Sequence, residues 1–181
     1  MELEKYDDSV KWKSNNYIKE SLLKLEGAFP NALNVTLHTN TADKINLESD
    51  IQHFYNKVSY QIKGGKHFRK YPVFNIFAFI ERAKSENGTN WKGLHAHAIV
   101  IPPSRELISF HDFFHLLKET WKSTRFGRSI AYIQPVRNWE GCVEYISNPH
   151  KGKEDKDVLA HFISHGKPLW EYQTTTDRHS F

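Results

Sequence analysis

Two apolar, β-rich runs follow one another along the chain with only a polar loop between them. They are Val73–Arg82 (VFNIFAFIER) and Leu94–Ile101 (LHAHAIVI), separated by SENGTNWKG over 85–93. Runs of this length, rich in aromatic and β-branched residues and closed by Pro102-Pro103, read as strands, and two in succession read as a hairpin with a longer loop. A doubly wound parallel sheet needs a crossover between consecutive strands, so the hairpin argues against it. Around it, SNNYIKESLLKLEG (14–27) reads as a helix stopped by Gly27, and ALNVTLHT (32–39) as a strand. Residues 47–63 read as a helix, capped by Ser49 or Asp50, carrying Ile51, Phe54, Tyr55 and Val58 at helical spacing, and ended by Gly64-Gly65. An aromatic helix is expected over 110–122, then a strand over 129–136 whose Pro135 marks an edge or an end, then a short helix over 138–147 stopped by Pro149. The expected class is α+β: a central antiparallel or mixed sheet of about four to five strands with flanking helices.

The chain has 181 residues, 39% of them hydrophobic and 14% aromatic, which suits one domain with a real core. The expected division is a main domain over 1–150, with a helical lead-in over 1–29, and a C-terminal extension over 151–181 that is partly packed and ends in a polar tail. A single cysteine, Cys142, excludes an internal disulfide framework and a Cys-based zinc finger, and fits a reducing compartment. The start, MELEKYDDSVKWK, lacks an apolar signal core, and no window nears the roughly 18 apolar residues of a membrane helix. A cytoplasmic location without membrane contact is therefore expected. No GxGxxG or GxxxxGK[ST] motif supports nucleotide binding. The net charge of +4 permits a polyanionic partner without requiring one.

The residues that carry chemistry begin with His95 and His97 in GLHAHAIV (93–100). On a strand, positions i and i+2 share a face, so both imidazoles can converge on one ion. On a helix the same spacing would splay them apart. Ala96 and Ala98 would then face the other way, where a helix can pack close. The spacing alone fits equally well two histidines that merely share a strand face. Within the hairpin, parity brings Glu81 to the loop end near His95. Two imidazoles and one carboxylate with open positions suit Mn²⁺ or Mg²⁺, and would also accept zinc or non-haem iron. Tyr145, in GCVEYISN (141–148), is the candidate covalent nucleophile. A phenol is a poor nucleophile at neutral pH, and an ion that polarises the attacked phosphate would help it. The plain alternative is a half-buried helix tyrosine.

Together these segments resemble the HUH endonucleases, above all the rolling-circle replication initiators. GLHAHAIV is similar to their His-hydrophobic-His motif, and Val35-Thr36-Leu37-His38 sits where they carry a Thr-bearing strand. Glu81 matches their acidic third ligand, and Tyr145 follows on a helix after one more strand. The resemblance spans about residues 30–150. It implies a ferredoxin- or RRM-like sheet carrying the metal, with Tyr145 attacking single-stranded DNA or an origin hairpin to leave a 5′-phosphotyrosine. It also implies a separate helicase and a host polymerase as partners. Initiators often have Tyr-x-x-Lys. Here that position is Asn148, and Lys151 is the nearest lysine, so either could take the role. DNA contacts are expected from KGGKHFRKY (63–71), with Lys66, Arg69 and Lys70, and from WKSTRFGR (121–128), with Lys122, Arg125 and Arg128. Trp91 and Lys92 beside the histidines are further candidates. A single-tyrosine transposase or relaxase would share this logic, and a non-catalytic single-strand-binding module would share the fold. A histidine-triad hydrolase fits less well, because its third histidine position is Ile99.

Overall fold

Backbone hydrogen bonding puts the second strand of the hairpin in the interior of the sheet. The computed structural model describes residues 19–20, 22–64, 73–84, 91–147 and 159–163. In chain order the elements are β1 (Leu33–Thr39), α1 (Lys44–Lys63), β2 (Asn75–Lys84), β3 (Trp91–Ile101), α2 (Phe110–Lys122), β4 (Gly127–Pro135), α3 (Trp139–Ser147) and β5 (Leu159–Ile163). Across the five-stranded sheet the order is β4-β1-β3-β2-β5. Every neighbouring pair is antiparallel. This is a ferredoxin-like α+β sheet, β-α-β-β-α-β, with β5 added along the β2 edge. The expected lead-in helix over 14–27 lies partly outside the described residues. Its described part is helical at Lys19, Glu20, Leu22 and Leu23 and continues in turns through Ala28.

The two faces of the sheet are used differently. One carries Val35, Leu37, Ile76, Ala78, Ile80, Ala96, Ala98 and Val100 against Leu47, Ile51, Phe54 and Val58 of α1 and Phe113, Leu117 and Trp121 of α2. Ala96 and Ala98 are completely buried, and their small size lets the helices seat closely on β3. Trp121 fixes α2 further, because its indole N–H donates to the His38 carbonyl at 2.9 Å and its ring meets Phe54 edge-on at 5.5 Å. The opposite face carries Phe77, Phe79, Ile99 and Ile101 against Trp139, Val143 and Ile146 of α3 and against Leu22. Each Val, Leu, Ile or Phe among them contributes about 1.5–3 kcal/mol by leaving water. Among the described residues no helix is long and apolar enough to cross a membrane.

Several element ends differ from the sequence expectation. Helix α1 starts at Lys44, where the Asp43 carboxylate accepts from the Ile45 N–H at 2.8 Å and the Asn46 N–H at 3.2 Å. Ser49 and Asp50 are therefore inside the helix and not its cap. Asp50 is buried and its carboxylate accepts the Phe126 N–H at 2.7 Å, so its role is to hold the approach to β4. Gly64 ends α1 at φ 66°, a backbone state a side chain would strain, and its N–H donates to the Tyr60 carbonyl at 2.8 Å. Strand β2 continues to Lys84 and β3 starts at Trp91, with a register shift after Arg82. The polar composition of 85–93 concealed this, since ladder bonds are made by backbone whatever the side chain. Strand β4 starts at Gly127, where a Cβ would collide with the Trp121 carbonyl oxygen. Pro135 closes β4 at the sheet edge, where a missing N–H costs nothing.

Asp50→Ala leaves the Phe126 N–H without its acceptor. It is expected to lower unfolding stability by about 1–3 kcal/mol in urea melts, and Asp50→Asn by less.

Candidate metal centre and its neighbouring tyrosine

Strand register builds the cluster in two lateral rows. On β3, His95 faces Glu81 of β2 on one side and His38 of β1 on the other. Two residues along, His97 lies between Phe79 and Thr36. Paired residues share a face, so Glu81, His95, His97, Thr36 and His38 all project from the face opposite α1 and α2. The ring nitrogens converge: His95 Nε2 and His97 Nε2 are 3.1 Å apart. Glu81 Oε2 lies 3.5 Å from His95 Nε2 and 3.3 Å from His97 Nε2. Among the described residues these three form the only group of His, Cys, Asp or Glu with the geometry to hold a metal ion.

The donor set passes a geometric test for such an ion. Ligands about 2.0–2.2 Å from a first-row or magnesium ion lie roughly 2.8–3.6 Å from one another in tetrahedral or octahedral arrangements. All three separations fall in that range. Two imidazoles and a carboxylate on one side leave the remaining positions open to water or substrate. Hydrogen bonds from the His95 and His97 side chains hold the Glu81 carboxyl well below the usual carboxylate range, and outweigh the opposite effect of burial. Glu81 therefore stays ionised, with ligand lone pairs available, at neutral pH. Thr36 Oγ1 lies 3.2 Å from His97 Nδ1. That contact fixes the ring and directs Nε2 towards the other two donors.

Helix α3 brings the tyrosine to this cluster. Trp139, Val143 and Ile146 recur at helical spacing and are buried against β2 and β3. Tyr145 and Glu144 fall on opposite flanks of that stripe. On one flank the Tyr145 ring meets the His97 ring edge-on, with centroids 5.3 Å apart, and is 48% exposed. On the other, Glu144 pairs with Lys19 at 3.0 Å. The Trp139 indole N–H donates to the Leu22 carbonyl at 2.7 Å, so the segment before β1 holds α3 from outside the sheet.

The candidate DNA-binding residues are dispersed. Lys122 and Arg125 are exposed at the end of α2 and just after it, where the Arg125 guanidinium lies 5.0 Å from the Phe126 ring centroid. Arg128 is exposed on β4, where the register shift between Leu37 and Thr39 sets it and Ser129 together against His38. Partial loss of water around the exposed His38 ring first, then the charges of His95, His97 and Arg128, push its imidazole below its ordinary value. Trp91 and Lys92 have their backbone in β3, and their side chains lie outside the description. Lys66, Arg69, Lys70, Asn148 and Lys151 lie outside the described residues. Two members of the cluster were not singled out individually by sequence: Thr36 as the support of His97, and His38 beside His95 with ring centroids 6.3 Å apart. Their alternation along β1 was visible, but the register that joins them to β3 was not. Comparison with protein-family models, curated proteins and solved structures gave no match.

Thr36→Val removes the support of His97 Nδ1 while keeping the strand. Mn²⁺ or Co²⁺ titration is expected to show about 10–100-fold weaker binding. Cys142, on α3, tests the packing of that helix, because burial pushes its thiol up to about 11. At about pH 8 roughly one thiol in a thousand is then ionised, so alkylation by iodoacetamide should be slow in the native chain and fast in denaturant. Burial penalises the thiolate and leaves the neutral thiol unaffected, so the folded state loses stability once the unfolded thiol ionises and the buried one cannot. Stability should thus fall as pH rises from about 8.5.

Proposed function

We propose that this chain is a metal-dependent endonuclease and strand transferase of the HUH type, which nicks and rejoins single-stranded DNA through Tyr145 to initiate rolling-circle replication. The observation that carries the reading is the meeting of a phenol with a His-His-carboxylate cluster, with the Tyr145 and His97 rings 5.3 Å apart. A half-exposed tyrosine beside a partly buried His-His-carboxylate cluster that leaves further coordination positions free fits attack on a phosphodiester better than a purely structural role. Glu81, His95 and His97 would hold a divalent ion, Mn²⁺ or Mg²⁺. When bound, that ion supplies Lewis-acid polarisation of a phosphate oxygen.

The chain's own groups do the rest. The Tyr145 oxygen forms a bond to phosphorus as the bond from phosphorus to the 3′-oxygen breaks. The phenolic proton is lost, the departing 3′-oxygen gains one, and a 5′-phosphotyrosine remains. Attack on that link by a 3′-hydroxyl reverses the step, rejoins DNA and restores the phenol. Thr36 holds His97 in place throughout, and the packing of α3 keeps Tyr145 on the same side as the ligands. Asn148 or Lys151 would assist the leaving oxygen. Unwinding and extension would fall to a separate helicase and polymerase.

The test is incubation with a pool of labelled single-stranded oligonucleotides and Mn²⁺, followed by a denaturing protein gel. A labelled band at protein-plus-DNA mass is expected for the wild type and absent for Tyr145→Phe, which should still bind the strand. His97→Ala should lose both metal affinity and adduct. Strand binding and metal binding without any adduct would sink the proposal in favour of a binding module.

A further inference from the structure

We infer that the half of the histidine-bearing face left uncovered by the described elements contains a stacking subsite for a DNA base, with Tyr132 as its platform. The inference rests on the strand-cleavage reading above and extends it to how the strand is held beyond the reacting phosphate.

The position follows from register. Tyr132 of β4 pairs with Thr36 of β1, and Thr36 pairs with His97 of β3. All three therefore share one face, in a row perpendicular to the strands. Two strand spacings separate Tyr132 from His97, about 10 Å at the backbone. A base next to the scissile phosphate, or the one after it, can span that distance. Helix α3 covers the other half of this face, where Trp139, Val143 and Ile146 pack on Phe77, Phe79, Ile99 and Ile101. Over β1 and β4, by contrast, His38, Arg128, Tyr132 and Gln134 are all exposed.

Tyr132 is 41% exposed, although neighbouring Ile130 and Ile133 turn to the other face and pack against the main core. A register shift between Thr36 and Leu37 makes Ala131 the extra residue of a bulge, and so aims Tyr132 onto the site face. Its hydroxyl donates to Gln134 Oε1 at 2.7 Å. That bond ties the ring to the strand and leaves the Gln134 amide N–H groups to donate to a base edge or a phosphate. Arg128, farther along β4, adds a cation for the DNA backbone. An aromatic ring fixed on the sheet face, with a cation on the same strand and the proposed ligand His97 in its row, matches the pattern by which proteins hold single strands with little sequence preference.

The experiment uses the full chain in a Tyr145→Phe background without metal, so binding is read independently of cleavage. Fluorescence anisotropy with single-stranded oligonucleotides should show Tyr132→Ala binding about tenfold more weakly and Tyr132→Phe within about twofold of the parent. An abasic site walked along the oligonucleotide should weaken the parent at one position and leave Tyr132→Ala unaffected there. Thermal melts keep a folding defect apart, and Tyr132→Phe provides a folded comparison. Equal affinities for parent and Tyr132→Ala overturn the inference alone. So does a Tyr132→Ala effect on self-association without any on strand affinity, which would give the face to a second copy. A parent that binds no oligonucleotide overturns the cleavage reading as well. Binding without a wild-type covalent adduct overturns the cleavage reading while the Tyr132 comparison still stands or falls on its own result.

Discussion

Strand β3 has neighbours on both sides and packs on both faces, and most of the molecule follows from satisfying it. Its backbone is paired to β1 and β2, so its side chains must divide strictly between two environments. Ala96 and Ala98 go to the helices, and His95 and His97 to the opposite face. A slip of one residue would bury imidazoles under α1 and α2 and expose alanines at the site. Small residues on one side and imidazoles on the other are two consequences of a single alternation.

The fold was readable to the extent that it depended on local pattern. Consecutive β-rich runs announced the hairpin, the alternation in LHAHAIVI announced its two faces, and Gly64 and Pro135 marked ends for stereochemical reasons. What could not be read was set by distant partners. Asp50 looks like a helix cap in sequence, yet it serves the Phe126 N–H from inside the helix. Trp91 looks like a loop residue, yet its backbone pairs with that of Lys84. The cluster shows the same division. Glu81, His95 and His97 lie within one hairpin, where parity suffices to bring them together. Thr36 joins them only through the β1–β3 register, and Tyr132 only through two registers and a bulge.

The proposed chemistry divides between rigid and attached parts. The three ligand side chains come from two adjacent strands, with a third strand supplying the hydrogen-bonding partner of His97. The phenol comes from a helix laid across the sheet later in the chain. Such a division separates affinity for the ion, set by the sheet, from the distance over which the nucleophile must reach, set by how α3 docks.

That docking depends on residues far from Tyr145 in sequence. Leu22 shares the smaller core with Trp139, Val143 and Ile146, accepts the Trp139 indole N–H through its carbonyl, and is flanked by the Lys19–Glu144 pair. The sheet with α1 and α2 has a larger core of its own. Local opening can therefore release the smaller cluster while the larger one holds. The molecule would then fail in two stages on warming, losing the alignment of its phenol first and the sheet that carries the His-His-carboxylate cluster only when the whole domain unfolds.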